Sequence, residues 1–169
     1  MKVLEISDFG CGYCRRFHEE TFPSLLARYV ESDLVEWKFI PFVLGMFPNG
    51  LQAATAGECA GEQGQFFPMQ SRLFADQGGW RNSQDPYGFF SDLAKEEGLD
   101  VERFVNCIEG GWRDNQVRAN IRLGQQAGAQ GTPYFLVDGR PVPGALALDD
   151  FRAVLDAALV QKGITPPPS

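Results

Sequence analysis

The sequence predicts an α/β fold: a mixed central sheet flanked by helices, with an all-helical insertion in its middle connection. Three observations predict it. The apolar run Val3-Leu4-Glu5-Ile6 leads into Cys11-Gly12-Tyr13-Cys14, then a helix-like run to about Val30, then a second strand-like run from Leu34 to Phe42. From about Leu44 to Gln126, helical patterns alternate with glycine breaks and no convincing strand appears. Strand character returns at Tyr134 to Val137, where Asp138-Gly139 is a strong two-residue hairpin signal.

The elements follow in order. Val3 to Ser7 is aliphatic and β-branched with little alternation, the pattern of a short buried strand. Asp8-Phe9-Gly10 breaks it, and the cysteine pair opens a helix. Pro23 lies within that helix, removes an amide donor and crowds the preceding turn, so a kink is expected near Glu19 to Phe22. Strand, helix and strand make a right-handed parallel unit the default. In the helical stretch the expected segments are Leu51–Gln63, Gln65–Ala75 (ended by Gly78-Gly79), Pro86–Glu97, Val101–Glu109 capped by Asp100, and Trp112–Ala127. Arg140 to Val142 pairs with Tyr134–Val137 as a short edge marked by Pro141 and Pro143. The last helix, Asp149 to Lys162, repeats Phe151, Val154, Leu155, Ala158 and Leu159 at i, i+3, i+4, i+7 and i+8, and Gly163 stops it. The expected division is residues 1–43 and 128–163 for the α/β domain, 44–127 for the insertion, and a frayed Pro-rich tail at 164–169.

Composition narrows the function. A chain of 169 residues buries a core without needing disulfides in its place. A formal charge of −7 argues against nucleic acid and anionic membrane surfaces as partners. No uncharged apolar run approaches the roughly 18 residues of a membrane span. Four cysteines allow three pairings; they permit an oxidising compartment without requiring one.

The pair Cys11 and Cys14 carries the chemistry. At a helix N-terminus the first sulfur meets unpaired amides and the positive end of the helix dipole, both of which favour thiolate. Cys11 is therefore expected to be the exposed sulfur that forms a mixed disulfide, and Cys14, one turn inside, the buried sulfur that resolves it. Two other readings stay open: three zinc ligands from Cys11, Cys14 and His18, or a purely structural bridge.

Other residues bear on that pair. Glu5, inside an apolar strand, is poorly solvated and suited to exchange a proton with Cys14; the alternative is a surface charge on an edge strand. Gly131-Thr132-Pro133-Tyr134 opens the third strand. If that strand neighbours the first, Pro133 lies beside the cysteines, and a cis bond there exposes Thr132 backbone to an extended substrate. Phe9, Tyr13 and the residues around Pro133 offer an apolar docking surface. Cys59 and Cys107, in different helices, are a possible structural disulfide, the alternative being two buried thiols. His18 is expected to pack or hydrogen-bond partly buried, and Asp8 to be a solvated loop charge.

Together, Val3-Leu4-Glu5-Ile6-Ser7-Asp8-Phe9, Cys11-Gly12-Tyr13-Cys14-Arg15-Arg16-Phe17-His18 and Gly131-Thr132-Pro133-Tyr134-Phe135-Leu136-Val137-Asp138-Gly139 resemble the DsbA-like branch of the thioredoxin superfamily, thiol:disulfide oxidoreductases with a helical domain inserted in a thioredoxin-like fold. Glu58-Cys59-Ala60, Phe66 and Leu73-Phe74 resemble the helices of that insertion. The resemblance implies Cys11 as nucleophile, Cys14 as resolving thiol, Glu5 as buried acid and Pro133 as cis-proline, with Tyr13, Thr132 and Pro133 meeting substrate. It implies cysteine-containing protein substrates, a redox partner that recycles the pair, no cofactor, a monomer, and a periplasmic or other extracytoplasmic location reached through an export segment upstream; a cytoplasmic one stays open. The strongly oxidising members carry Pro-His between the cysteines. Gly12-Tyr13 supplies no cationic charge there and is similar to the dipeptide of disulfide isomerases, so a milder oxidase is expected, with reductase or isomerase as the alternative. The non-redox alternative is a zinc- or peptide-binding module.

Overall fold

The computed structural model describes residues 1–168, so Ser169 of the expected tail lies outside the described residues. A four-stranded sheet in the order β2-β1-β3-β4 forms the centre. Strand β1 (Lys2–Ser7) pairs parallel with β2 (Glu36–Pro41), Glu5 opposite Phe39, and antiparallel with β3 (Tyr134–Val137), Glu5 opposite Phe135. Strand β4 (Arg140–Pro143) closes the edge. Asp138 and Gly139 both have positive φ, 50° and 83°, the turn geometry that matches the twist of a two-residue hairpin.

Because β1 is central, its side chains meet helices on both faces. Val3 joins Phe17, Leu25, Tyr29, Phe135, Phe151, Leu155 and Leu159 under the helix that follows the cysteines and α9 (Leu148–Gln161). On the other face, Ile6 joins Ile40, Phe42 and Ala129, with Ile121 of α8 (Asp114–Gln126) packed against them. Here α8 approaches closely: a Cβ on Gly124 would lie 2.5 Å from the Phe42 ring and 3.2 Å from Ile6, so a side chain there forces the layers apart. Ile164 packs against the first face and its N–H donates to Leu159 O at 3.0 Å, so the expected fraying does not extend to this residue.

The helix after the cysteines runs in four parts: α1 (Gly12–Arg16), a π-helical turn Phe17–Thr21, α2 (Phe22–Leu25) and a second π-helical turn Leu26–Val30. In the first π-helical turn, which overlaps the stretch where Pro23 leads to the expectation of a kink, Phe22 N–H reaches back to Phe17 O. The second carries no proline and no sequence signal.

Between β2 and β3 lie α3 (Gly50–Gly61), α4 (Phe66–Ala75), α5 (Gln77–Asn82), α6 (Pro86–Glu96), α7 (Val101–Glu109) and α8. Helix α5 departs from the expectation that Gly78-Gly79 ends the helical run. Trp80 is fully buried, donates its indole N–H to Leu73 O at 2.7 Å and packs on Phe90, and this tertiary contact outweighs the low propensity of two glycines. Cys59 of α3 and Cys107 of α7 form a disulfide, their Cα atoms 5.9 Å apart, inside a core of Met69, Leu73, Phe90, Phe104 and Ile108.

That disulfide closes a separation of 48 residues, for which chain entropy alone gives about 4 kcal/mol. Urea unfolding of Cys59→Ala/Cys107→Ala is expected to show a loss of that order, with the fold retained. An unchanged unfolding midpoint would assign the bridge no part in stability.

Candidate active site

The strand-to-helix junction builds the site. Cys11 is the N-cap of α1: its backbone is extended, and its sulfur accepts from Cys14 N–H at 3.4 Å. Cys11 and Cys14 are unbridged, and the Cys11 thiol donates to Thr132 O at 3.3 Å. The Thr132–Pro133 peptide is cis, and Pro133 is buried opposite the pair at the start of β3. The structure thus brings Cys11, Cys14, Thr132 and Pro133 together, as the neighbouring of β1 and β3 requires.

The two thiols are driven apart electrostatically. The hydrogen bond from the Cys14 thiol, with the Thr132 side chain and the Cys14 and Tyr13 amides nearby, lowers the Cys11 pKa to about 6 against the opposing effect of burial. Burial pushes Cys14 the other way, and the hydrogen bond and charge of Cys11 add to it. One thiolate and one thiol at this spacing is the arrangement that attacks or leaves at one sulfur and keeps a proton on the other.

Three expectations need correction. Cys11 is not an exposed sulfur: the residue is only 4% accessible, covered by its own helix turn and the Thr132 carbonyl. Access is through a cleft of about 520 Å³ lined by Cys11, Tyr13, Arg15, Arg16, Glu20 and Phe47. Phe9 is not a docking residue: it is buried between Phe39 and Phe74, both with ring centroids 5.2 Å away. Asp8 is not a solvated loop charge. It is buried, accepting from Gly10 N–H at 2.8 Å and Leu44 N–H at 2.8 Å while its backbone carbonyl accepts from Cys11 N–H. Burial raises its pKa; those two amides and the Arg81 charge oppose the rise. Tyr13, by contrast, stands 64% exposed beside the cleft, with the Arg16 guanidinium over its ring.

Glu5 is fully buried on the central strand, not a surface charge on an edge. Its Oε1 accepts from Ser7 Oγ at 2.6 Å and lies 2.8 Å from His18 Nε2, and its Oε2 accepts from Trp37 Nε1 at 2.9 Å. These partners satisfy a carboxyl group that water does not reach. None of the three hydrogen bonds goes to Cys14. His18 lies one helical turn beyond Cys14, stacked on Phe74 at 4.6 Å, and its Nε2 is committed to Glu5. Among the described residues, no group of three or more His, Cys, Asp or Glu side chains is arranged to hold a metal ion.

The sequence reading missed Gln77. Its buried amide donates to Phe9 O at 2.6 Å and Cys11 O at 3.0 Å, tying α5 to the turn that carries Cys11. A glutamine beside Gly78-Gly79 reads as loop, and only the fold of α5 turns it inward.

The thioredoxin family model matches residues 1–157, and the chain belongs to that family. The chain is 30% identical over 158 residues to the Na(+)/H(+) antiporter NhaA of Herminiimonas arsenicoxydans, covering 94% of this chain but only 24% of that protein. It is 23% identical over 171 residues to disulfide bond formation protein D of Bacillus subtilis, covering 95% of this chain and 73% of that protein. In architecture it is similar to the crystal structure of oxidised BdbD from Bacillus subtilis, with a TM-score of 0.85, 22% identity, and coverage of 94% and 87% of the two chains.

The depressed Cys11 value has a stability consequence. A folded-state pKa below that of the unfolded thiol contributes stability that is fully present above the unfolded value of about 8.5. That stability falls away as pH drops through about 6. Ultraviolet thiolate absorbance of the reduced protein is expected to titrate near pH 6. Its stability advantage over Cys11→Ser is expected to shrink between pH 8.5 and pH 6; a titration near 8.5 would contradict the assignment.

Proposed function

We propose that this chain is a DsbA-like thiol:disulfide oxidoreductase that exchanges disulfides with protein cysteines through Cys11 and Cys14. The observation that carries the reading is the split between the two sulfurs: Cys11 at the helix cap with its pKa lowered to about 6, Cys14 buried with its pKa raised. In the oxidising direction a substrate thiolate attacks Cys11 of the Cys11–Cys14 disulfide, and Cys14 leaves. A second substrate thiolate then attacks the substrate sulfur of the mixed disulfide, releasing a substrate disulfide and the Cys11 thiolate. The substrate loses two electrons and the enzyme pair gains them. Glu5 supplies the proton that Cys14 takes up. Tyr13, which lines the cleft, and Thr132 and Pro133, where the Thr132 carbonyl accepts from the Cys11 thiol, meet the substrate.

The Cys59–Cys107 disulfide supports an extracytoplasmic location, because such bonds persist where the environment is oxidising. A separate redox partner recycles the pair, and the protein acts as a monomer in two parts, residues 1–43 with 128–163 and the insertion 44–127. The antiporter's transport activity is not carried over, because this chain matches only 24% of that protein. Reductase or isomerase direction is favoured by one feature, Gly12-Tyr13, which places no cation beside the Cys11 thiolate.

The test is oxidation of a reduced, unfolded dithiol protein by the disulfide form, beside steady insulin reduction by the reduced form and metal analysis of the purified protein. Cys11→Ser is expected to abolish oxidation. Cys14→Ser is expected to accumulate a substrate mixed disulfide at Cys11. Insulin reduction without substrate oxidation would make it a reductase. A stoichiometric zinc lost on Cys11→Ala would overturn the redox reading.

A further inference from the structure

From the geometry around Glu5 we infer that His18 is a proton relay, loading and unloading Glu5 from an apolar cleft behind the active-site helix. The inference rests on the reading of Glu5 as the proton source for Cys14 and adds the route by which that proton is replaced.

Glu5 is fully buried and has no path of its own to water. Of its three hydrogen-bond partners, Ser7 and Trp37 hold their protons throughout the physiological range. Among the described residues, His18 is the one titratable group in hydrogen-bond contact with this carboxylate, Nε2 to Oε1 at 2.8 Å. The imidazole is also the partner that reaches outward. Its side chain keeps 10% of its accessibility, and with Phe22, Leu26, Phe67, Gln70 and Phe74 it lines a cleft of about 560 Å³. Imidazole changes charge between about pH 5 and 8, the range in which such an exchange runs.

The surroundings leave the pair isolated. From β1 His18 faces Glu5; from β2 the neighbouring rings are Trp37 and Phe39; from α4 the neighbours are the Phe74 ring and the Gln70 amide. None of these except Glu5 carries charge. On its own helix, Glu19 shares the cleft and is paired with Arg15 at 3.8 Å, and Cys14 lies one turn back. Stacking on Phe74 and edge contact with Phe39 hold the ring with Nε2 on the carboxylate.

When substrate attack breaks the Cys11–Cys14 bond, Cys14 departs as a thiolate and takes the proton of the Glu5 carboxylic acid. Glu5 then takes one from the His18 imidazolium, and the neutral imidazole is reprotonated by solvent at the cleft. The reverse order carries the proton out when Cys14 closes the disulfide. His18 touches neither substrate nor sulfur in this scheme; it is a positioning residue acting through Glu5.

The experiment is multiple-turnover oxidation of a dithiol peptide, with glutathione disulfide as the terminal oxidant, across pH 5 to 8, for the wild type, Glu5→Gln, His18→Gln and the double variant. Glutamine at 18 keeps an N–H for Glu5 but carries no proton, so it separates transfer from packing. Circular dichroism and unfolding midpoints check that each variant folds. Glu5→Gln and His18→Gln are each expected to slow the step by about 10-fold or more. His18→Gln is expected to lose the wild-type inflection between pH 5 and 8, and the double variant to be no slower than Glu5→Gln. Wild-type rate and pH profile in His18→Gln would overturn the relay while leaving Glu5 in place. An additive double variant would show His18 acting apart from Glu5 and overturn it too. An unchanged Glu5→Gln would instead overturn the reading of Glu5 on which the relay stands.

Discussion

The chemistry of this fold depends on the contact between the Cys14 amide and the Cys11 sulfur at the N-cap of α1. A helix N-terminus presents unpaired donors, and here a sulfur accepts one at 3.4 Å while the Cys14 thiol adds another. With Cys14 wholly buried one turn inside, that single geometry separates the sulfurs into a stabilised anion and a retained proton. Much of the surrounding structure holds this turn still. Asp8 fixes the loop before it, Gln77 holds its carbonyls from α5, and the β1–β3 pairing brings Thr132 against Cys11.

A second constraint lies under the helix. Placing Glu5 on a central strand costs its hydration, and Ser7, His18 and Trp37 replace the lost water with three hydrogen bonds. These partners come from β1, β2 and the active-site helix, so one side chain couples the sheet to the helix that carries the cysteines. The aromatic shell of Phe17, Phe22, Phe39 and Phe74 around His18 leaves this polar cluster open to solvent only at the edge of the imidazole that lines the cleft.

The fold was legible where its signals were local. Strands and hairpin follow from short apolar runs and from Asp138-Gly139, and α9 from an unbroken repeat of buried positions. Cys11 and Cys14 were legible because two cysteines two residues apart at a strand-to-helix junction have few chemical uses. What was illegible depends on contacts distant in sequence. Gln77 reaches across 66 residues to the Cys11 carbonyl, and Trp80 makes a helix of a glycine pair. Asp8 has the composition of a loop charge until Leu44, 36 residues on, donates to it. The burial of Cys11 likewise comes from Thr132, 121 residues away. The second π-helical turn, at Leu26–Val30, has no physical account in the residues around it.

The central claim is that Cys11 and Cys14 form a redox couple poised by a partly stabilised thiolate. A Cys11 value near 6 lies between about 7 for thioredoxin and about 3.5 for DsbA, whose couples stand near −270 and −120 mV. Equilibrating the pair with glutathione buffers measures it directly. The account predicts an intramolecular disulfide with a potential between those two values. A pair that forms no such disulfide, or a potential at or below about −270 mV, would contradict it.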